Sequence, residues 1–545
     1  MSCEAEKAAQ ALDADTTDFY KLRREEQFFA GARFILEPSL ELQLRAARAL
    51  VSAFEHSSIN GTDFDGRYLK ALTQTVQPVA ELFVSTDAQV SRPCTEPRYA
   101  DPAAVLAYLF KPDVLSNEQL CEALGPSKAR AVFEACVSDV CPAEALKPPE
   151  SINDLTGLPH YMCSTAGHAE FRRRKYDDWE TAVDRYLGSV VAIMSRLVSV
   201  SPAMRSEAIR RGVLEKLVSV VRDGESRWSS GIAVLLQRAS VGIRELLAQG
   251  GAEVFVRGPS PTDESDTAAT SIALRVAPAF VPLIQAGGDA TRVANLAEAL
   301  RNACGLGAAA REAIAASPET PSVLCRVVSA SPDGPAAAPA LHVIADLLSS
   351  DGNCSASAAA PPLSHSLARA FTKAGVLEAV QEVLCNSGTG LSSHRHGAAR
   401  ALGQMISGAE APREVVATVL ASTPQLLPRV AKLCQTAQNE ERSAVVEALS
   451  AAVTAADHDL LVELQDKLNP VGLLIDSNVL LLADARARIA GYTAVRHAVE
   501  VLKRPDLVDS YAATNVRRST MTSGSSADDV AARAAALVLL DALHP

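Results

Sequence analysis

The chain has 545 residues, more than the ~250–300 residues at which a single hydrophobic core stops growing, so it contains several domains or an elongated repeat array. Hydrophobic residues make up 48% of the sequence, and aromatic residues only 4%. This bias toward small apolar residues favours closely packed helices over sheets. The formal net charge of −12 argues against a nucleic-acid partner and against binding to an anionic membrane surface.

The cysteines and the first residues bear on the cellular compartment. Eleven cysteines are scattered without a tight paired spacing, which is typical of reduced, intracellular thiols. The opening residues, MSCEAEKAAQALDAD, are acidic and contain no apolar stretch, so we expect no signal or transit peptide. No segment has the ~18 consecutive apolar residues of a membrane-spanning helix. These features predict a cytoplasmic protein without membrane insertion.

An apolar stripe at helical spacing runs through residues 40–54, and it predicts an amphipathic helix. The stripe comprises Leu40, Leu44, Ala47, Leu50, Val51 and Phe54. A second helix is predicted over residues 68–84. We expect it to be interrupted or kinked near Pro78, because proline removes a backbone hydrogen bond.

Residues 91–178 have a different composition, in which proline, cysteine and charged residues are mixed. The helical pattern there is confined to short stretches, residues 103–110, 117–124 and 127–137. This segment is therefore predicted to be an irregular helical insertion or subdomain.

From about residue 180 a pattern recurs. Each copy has a helix that ends near a glycine, a second apolar helix, and a third helix that contains an Ala-Leu pair. The pairs recur roughly every 40–60 residues, close to the repeat length of helical solenoids. They lie at Ala299-Leu300, Ala340-Leu341, Ala401-Leu402 and Ala448-Leu449.

The turns and insertions of this array can also be read from the sequence. Gly212 and Gly375 each follow a helix and precede Val-Leu. We predict that they adopt positive φ and cap the preceding helix. Two stretches rich in Ser, Ala, Pro and Asp, residues 257–270 and 350–365, are predicted to be disordered insertions that lengthen the intervals between repeats.

These signatures resemble the armadillo-repeat family, whose unit has the form GxIxxLVxLL followed by AAxALxNLA. Residues 375–384 resemble the first half, and residues 397–402 (GAARAL) and 296–304 (LAEALRNAC) resemble the second. The resemblance covers roughly residues 180–500, with a weaker echo at 40–85. It implies an all-α fold, a right-handed α-solenoid of armadillo-like helical repeats.

The resemblance also implies a binding surface. In that family the third helix of each unit lines a concave groove, and a polar residue near the Ala-Leu pair contacts the bound peptide. Carried over, the polar position predicts a partner-binding groove lined by Arg196, Gln237, Asn302, Asp346 and Gln404, with Arg400, four residues before Gln404, included in the same groove. The family's peptide-import receptors carry a tryptophan four residues earlier, and this chain has none there, so the resemblance does not extend to nuclear-signal recognition.

Three other clusters contain residue types that could bind a metal ion or a charged partner. Cys136, Cys141, Cys163 and His168 have spacings at or beyond the usual zinc range, so ordinary thiols are favoured and no metal or cofactor is predicted. The basic run at 171–175 is followed by acidic residues, which favours a solvated helix with internal ion pairs over a docking site. His394-Arg395-His396 is predicted to lie in a loop before a helix.

The sequence contains no common catalytic motif, so no enzymatic activity is expected.

The expected organisation has four parts: residues 1–90, diverged repeats; 91–178, the irregular segment; 179–510, the repeat array; and 511–545, a flexible linker with a capping helix. The predicted function is a non-catalytic scaffold or adaptor that holds a protein partner on its concave surface. We expect it in a cytoplasmic assembly, with the cytoskeleton or cilium as the specific hypothesis. The alternative is a regulator of a client protein, as a chaperone cofactor or nucleotide-exchange factor.

Overall fold

The structure is a computed structural model, and it divides into two units, Met1–Val276 and Ala277–Pro545. All regular structure among the described residues is helical. Those residues are 2–12, 18, 21–56, 66–89, 100–139, 165–227, 233–248, 271–349, 363–386, 391–476, 479, 482–521 and 526–543.

The first unit contains ten described helices. In chain order they are α1 (Ser2–Ala11), α2 (Arg24–Phe34), α3 (Leu40–His56), α4 (Gly66–Gln89), α5 (Ala100–Leu109), α6 (Asn117–Asp139), α7 (Thr165–Val200), α8 (Pro202–Arg210), α9 (Val213–Arg227) and α10 (Ala233–Leu247).

Two rows of stacked helices organise the first unit. Helices α3, α5, α7 and α10 form one row, in which each helix packs on the next, and α2, α4 and α6 form a second row. Five phenylalanines are fully buried in this unit: Phe28, Phe34, Phe83, Phe110 and Phe133. The stripe predicted on α3 faces this core, since five of its six members are buried and only Leu40 is exposed.

The structure differs from the sequence-based expectations at two places in this unit. Helix α4 continues through Pro78 to Gln89, so of the two predicted alternatives, an interruption or a kink, the interruption is wrong. The described part of residues 91–178 also belongs to the stacked rows, because α5, α6 and the first turns of α7 lie there. The expected boundary at residue 178 falls inside α7, whose described residues are exposed or half-buried before it and largely buried after it. The break inside α6 is at Gly125, which has φ +70°.

The second unit contains sixteen described helices. They are α11 (Phe280–Ala286), α12 (Ala290–Cys304), α13 (Ala308–Ala315), α14 (Thr320–Ala330), α15 (Ala337–Leu348), α16 (Leu363–Lys373), α17 (Val376–Asn386), α18 (Ser392–Ser407), α19 (Pro412–Ser422), α20 (Leu426–Thr436), α21 (Asn439–Ala455), α22 (His458–Leu468), α23 (Pro470–Leu474), α24 (Ala485–Leu502), α25 (Ser510–Thr520) and α26 (Ala527–Leu543).

A repeating three-helix pattern runs through this second unit. Helices α12, α15, α18, α21, α24 and α26 stack in sequence and form what we call the third-helix row. Helices α11, α14, α17, α20 and α23 stack in a second-helix row. A short first helix opens most repeats, as α13, α16, α19 and α22 do. Since α15 touches neighbours on several sides, almost all of its residues are buried.

The glycine turns between the first and second helices are confirmed. Gly212 has φ +76° and Gly375 has φ +85°. In both turns the next helix begins at the following residue, Val213 or Val376. A side chain would be strained in this left-handed region, so glycine permits the sharp turn between the two helices.

A buried ion pair joins two helices of the third-helix row. The Arg395 guanidinium donates to both carboxylate oxygens of Glu441, with Nε···Oε1 at 2.6 Å and Nη2···Oε2 at 3.2 Å. The two side chains are only 11% and 4% exposed. A charge pair this deeply buried is stable only while both partners are present.

The end of the chain also differs from expectation. Residues 510–520 form helix α25, whereas a flexible linker was expected from residue 511 onward. Asp509 caps α25 by accepting a hydrogen bond from Ala512 N at 2.7 Å, which stabilises its first turn. The exposed side of α26 carries Val530, Leu537 and Val538, in contrast to the polar outer face typical of a terminal cap.

Two sequence-based expectations cannot be compared with the structure. The predicted insertion at 257–270 lies outside the described residues, and so does nearly all of the one at 350–365, of which only residues 363–365 are described, within α16. Among the described helices, none combines the length and apolar character needed to cross a membrane.

Replacing Gly375 with alanine should lower the free energy of unfolding by about 1–2 kcal/mol, the cost of a side chain in the left-handed region. An added Cβ would contact only Glu378 Oε2, at 3.6 Å, so the effect is conformational and not steric. Urea denaturation followed by circular dichroism measures this change in the free energy of unfolding.

The control is Gly188→Ala inside α7, where the nearest atom to a new Cβ is 3.5 Å away. That change should be neutral or stabilising by up to ~1 kcal/mol, and equal destabilisation by both would contradict the argument.

Replacing Arg395 with methionine should destabilise the protein by about 3–5 kcal/mol, because the Glu441 carboxylate would stay buried without its guanidinium. The double variant Arg395→Met/Glu441→Leu removes both charges and should recover most of that loss. Thermal unfolding of the two variants beside the wild type makes the comparison. A double variant no more stable than the single one would show that packing, and not charge burial, governs this site.

Candidate binding grooves

The described part of the second unit contains a groove across α18, α21 and α24, which we call the C-terminal groove. Its volume is about 460 Å³. It is lined by Ala399, Arg400, Gly403, Gln404, Ile406, Ser407, Pro412, Glu447, Ser450, Ala451, Thr454, Ala455, Arg486, Ala490 and Thr493.

Small residues make the floor of the C-terminal groove. At Gly403 an added Cβ would lie 3.3 Å from Ala448 Cα, so α18 and α21 approach closely at this point. Ala451 and Ala490 continue the floor along α21 and α24. Short side chains between stacked helices leave an open trough that longer side chains would fill.

Arg400 on the edge of this groove is held by the preceding third helix. Its Nη2 donates to Asp346 Oδ1 at 3.0 Å, and its Nη1 lies 3.3 Å from His342 Nδ1. Burial lowers the pKa of His342 to about 3, and the nearby Arg301, His396 and Arg400 add to this effect. The neutral imidazole can therefore accept the hydrogen bond from Arg400.

The opposite side of the groove carries a second ion pair and an unsatisfied hydroxyl. Arg486 Nε lies 3.4 Å from Glu447 Oε1. Burial raises the pKa of Glu447, although Arg486 acts in the opposite direction. The Ser450 hydroxyl is buried and has no hydrogen-bond partner among the described residues. A ligand in the groove could supply that partner.

The predicted groove residues of the second unit are only partly brought together. Arg400 and Gln404 line the C-terminal groove, and Asp346 contacts Arg400. Asn302 is half-buried on α12 and is not among the lining residues. The sequence analysis missed Glu447, Ser450 and Arg486, because it assigned no groove position to α21 or α24. The Ala448-Leu449 pair on α21 was the available signal.

The first unit contains a second groove, here named the N-terminal groove, across α3, α5, α7 and α10. Its volume is about 370 Å³. It is lined by Val51, Phe54, Ala104, Tyr108, Lys111, Thr181, Asp184, Arg185, Ser189, Val234 and Arg238.

Neither residue predicted for the first unit lines the N-terminal groove. Arg196 donates from Nη2 to the Leu115 carbonyl oxygen at 3.2 Å, so it ties α7 to the segment before α6. Gln237 is exposed on α10 outside the groove, and its neighbour Arg238 lies in the groove instead. On α10 the lining residue is therefore Arg238, one position beyond the predicted Gln237.

The other clusters have different outcomes. His394, Arg395 and His396 lie inside α18, so the predicted loop is wrong. Buried contacts draw these residues into the helix: His394 Nε2 lies 2.9 Å from the Gly334 carbonyl oxygen, and Arg395 pairs with Glu441. The basic run at 171–175 forms ion pairs within α7. Arg173 lies 3.5 Å from Asp177, one of the acidic residues that follow the run, and Arg173 and Arg174 each lie 3.0 Å from Glu170, which precedes it.

The cysteine cluster can be followed only in part. Cys136 is buried on α6 and His168 lies on α7, whereas Cys141 and Cys163 are outside the described residues. Within the part of the chain that the structure describes, no three His, Cys, Asp or Glu side chains are grouped to hold a metal ion.

The low pKa of His342 makes the stability of the protein depend on pH. The unfolded chain binds a proton near pH 6.5, while the folded protein binds it only near pH 3. The neutral state of His342 therefore costs no stability above pH 6.5. As the pH falls from 6.5 toward 3, the free energy of unfolding decreases by at most about 1.4 kcal/mol per pH unit, because the unfolded chain binds a proton that the folded protein does not. His342→Leu should flatten this dependence in urea titrations, whereas His458→Leu at an exposed position should not. Equal slopes for His342→Leu and the wild type would refute the assignment.

Solved structures are similar to this chain in fold at low sequence identity. No protein-family model and no curated protein sequence matches the chain. The solved structures that are similar include an engineered protein at 13% identity, with 95% of this chain and 99% of that chain covered and a TM-score of 0.59. A structure from a study of cadherin and beta-catenin has 12% identity, coverage of 94% and 99%, and a TM-score of 0.46. A designed armadillo repeat protein in complex with the peptide (KR)4 has 16% identity, coverage of 49% and 93%, and a TM-score of 0.36. The fold is an all-α solenoid built from armadillo-like helical repeats.

Proposed function

We propose that the protein is a non-catalytic scaffold that binds a segment of another protein in the C-terminal groove. The observation that carries this proposal is an open trough across three stacked third helices, with a floor of small residues and a buried hydroxyl, Ser450, that lacks a partner. A buried polar group without a hydrogen bond is unfavourable. A bound chain that offers an amide or carbonyl to Ser450 would remove that penalty.

The dimensions of the groove suit an extended chain. Packed helices lie ~8–10 Å apart, so a trough over α18, α21 and α24 spans ~16–20 Å. An extended strand rises ~3.3 Å per residue, so about five or six residues fit. Side chains at alternate positions would rest on Ala399, Ala451 and Ala490, while the polar groups of Gln404 and Thr493 are available to the backbone of the bound segment.

The charges of the C-terminal groove favour a segment that binds through apolar contacts and backbone hydrogen bonds. Arg400 is paired with Asp346 and Arg486 with Glu447, so each cation already has an anion beside it. We propose that the scaffold works within a larger cytoplasmic assembly, such as a cytoskeletal or axonemal complex. That placement rests on the sequence features alone.

A photocrosslinking amino acid at Thr454, which is exposed in the groove, should capture a protein in cells of origin after irradiation. The same amino acid at Lys432, which is exposed on α20 in the second-helix row, serves as the matched control and should not capture that protein. Mass spectrometry of the adducts identifies the partner and the crosslinked segment.

Filling the groove tests whether the captured protein occupies it. Ala490→Trp should abolish the Thr454 adduct, because the indole would fill the trough, while Lys432→Trp should leave it intact. Circular dichroism establishes that both variants are folded. An adduct that survives Ala490→Trp, or one that forms equally from Lys432, would contradict the proposed site.

A further inference from the structure

Two cations in the N-terminal groove have no carboxylate within salt-bridge distance among the described residues. Arg238 Nη1 donates to the Ser189 hydroxyl at 3.3 Å, and Lys111 Nζ lies 4.7 Å from the centre of the Tyr108 ring. Within the described part of the chain, neither side chain forms an ion pair. These two residues differ in this respect from Arg400 and Arg486 of the C-terminal groove, each of which has a carboxylate partner.

Two carboxylates near the N-terminal groove, Asp184 and Asp101, are already engaged, and a third, Asp113, adds to the effect of burial in raising the pKa of Tyr108. Asp184 Oδ1 accepts a hydrogen bond from Leu235 N at 2.6 Å, so it caps the first turn of α10. Asp101 is buried and lies 3.4 Å from Arg185 Nη2. Asp184 and Asp101 thus have structural roles. The groove lining contains three cations, Lys111, Arg185 and Arg238, and one carboxylate, Asp184, although the whole chain is acidic.

The position of Arg238 makes the missing partner significant. Its side chain is half-buried, and burial lowers the pKa of its guanidinium despite the opposing effect of Asp184. A cation that has lost part of its hydration is unfavourable unless an anion or several hydrogen bonds replace the water. A single long bond to a neutral hydroxyl compensates for little of that loss. An anionic ligand would compensate for more, because hydrogen bonds between two charged groups are the stronger ones.

An apolar surface lies in the same groove as these cations. The rings of Phe54 and Tyr108 stack with their centres 3.9 Å apart and an interplanar angle of 8°. Val234, which is 42% exposed, adds an aliphatic surface. A ligand that matches the groove therefore has a carboxylate and an apolar group close together, as adjacent residues of a peptide do.

We propose that the N-terminal groove is a second docking site, which binds a protein segment carrying an aspartate or glutamate next to an apolar side chain. The carboxylate binds Lys111 and Arg238, and the apolar side chain packs on Phe54, Tyr108 and Val234. The two grooves then select different segments: the C-terminal groove a largely neutral one and the N-terminal groove an acidic one. This inference does not depend on the C-terminal groove being occupied.

A selection of random peptides displayed on phage, performed on the full-length protein, tests the inference. The wild type should enrich peptides in which aspartate or glutamate adjoins an apolar residue. The variant Lys111→Gln/Arg238→Gln should lose this enrichment, and selected peptides should bind it about tenfold more weakly in fluorescence polarisation. Arg238→Lys alone keeps the charge and should retain part of the affinity. Binding by the wild type should also weaken as salt is raised.

Matched controls separate this site from other causes. Lys432→Gln/Arg222→Gln removes one exposed lysine and one exposed arginine outside the groove, and it should keep the wild-type enrichment. Ala490→Trp fills the C-terminal groove and should also keep the enrichment of acidic peptides. This test of the N-terminal groove therefore has the same outcome whether or not the C-terminal groove binds a protein segment. Three outcomes would overturn the inference: no enrichment of acidic residues, selection of basic peptides, or acidic enrichment that persists in Lys111→Gln/Arg238→Gln. Circular dichroism verifies that each variant is folded.

Discussion

The structure depends on one constraint. Each inner helix of the third-helix row must pack on one side against the preceding helix of that row and on the other side against the following one. Such a helix cannot have a single apolar stripe, because two or more of its faces are buried. Helix α15 meets the constraint with an almost wholly apolar sequence, and α18 meets it with small residues such as Gly403 against Ala448. The low aromatic content of the chain follows from the same requirement, since large rings would force stacked helices apart.

Polar side chains in this row are tolerated only where a neighbouring helix supplies a partner. Arg395 on α18 is neutralised by Glu441 on α21, and Arg400 on α18 by Asp346 on α15. His342 lies beside Arg400 and stays neutral because protonating it there would bury another positive charge. The charges of the row are therefore matched between repeats, and the remaining open face of each third helix is available to form a groove.

The two grooves arise from the same kind of helix stacking and differ in how completely their charges are compensated. In the C-terminal groove both arginines have carboxylate partners, and the unsatisfied group is a hydroxyl, Ser450. In the N-terminal groove, Asp184 caps α10 and Asp101 pairs with Arg185, and neither Lys111 nor Arg238 forms an ion pair with any described residue. A chain with two such surfaces can distinguish two segments by charge.

The amino-acid sequence by itself determined the fold class, the helical stripe on α3, and the turns at Gly212 and Gly375, because these depend on local periodicity and on backbone conformation. It also indicated that Arg400 and Gln404 face a groove, through the Ala-Leu pair beside them. Only the tertiary structure decided that Arg238 and not Gln237 lines the N-terminal groove, that α5 and α6 belong to the rows, and that His394 lies inside a helix. The physical reason is that a shift of one residue turns a helical side chain by about 100°. Whether a side chain lies in a groove, and whether its charge is compensated, therefore depends on how neighbouring repeats pack. That packing is established by contacts between residues far apart in the sequence, such as Arg395 with Glu441.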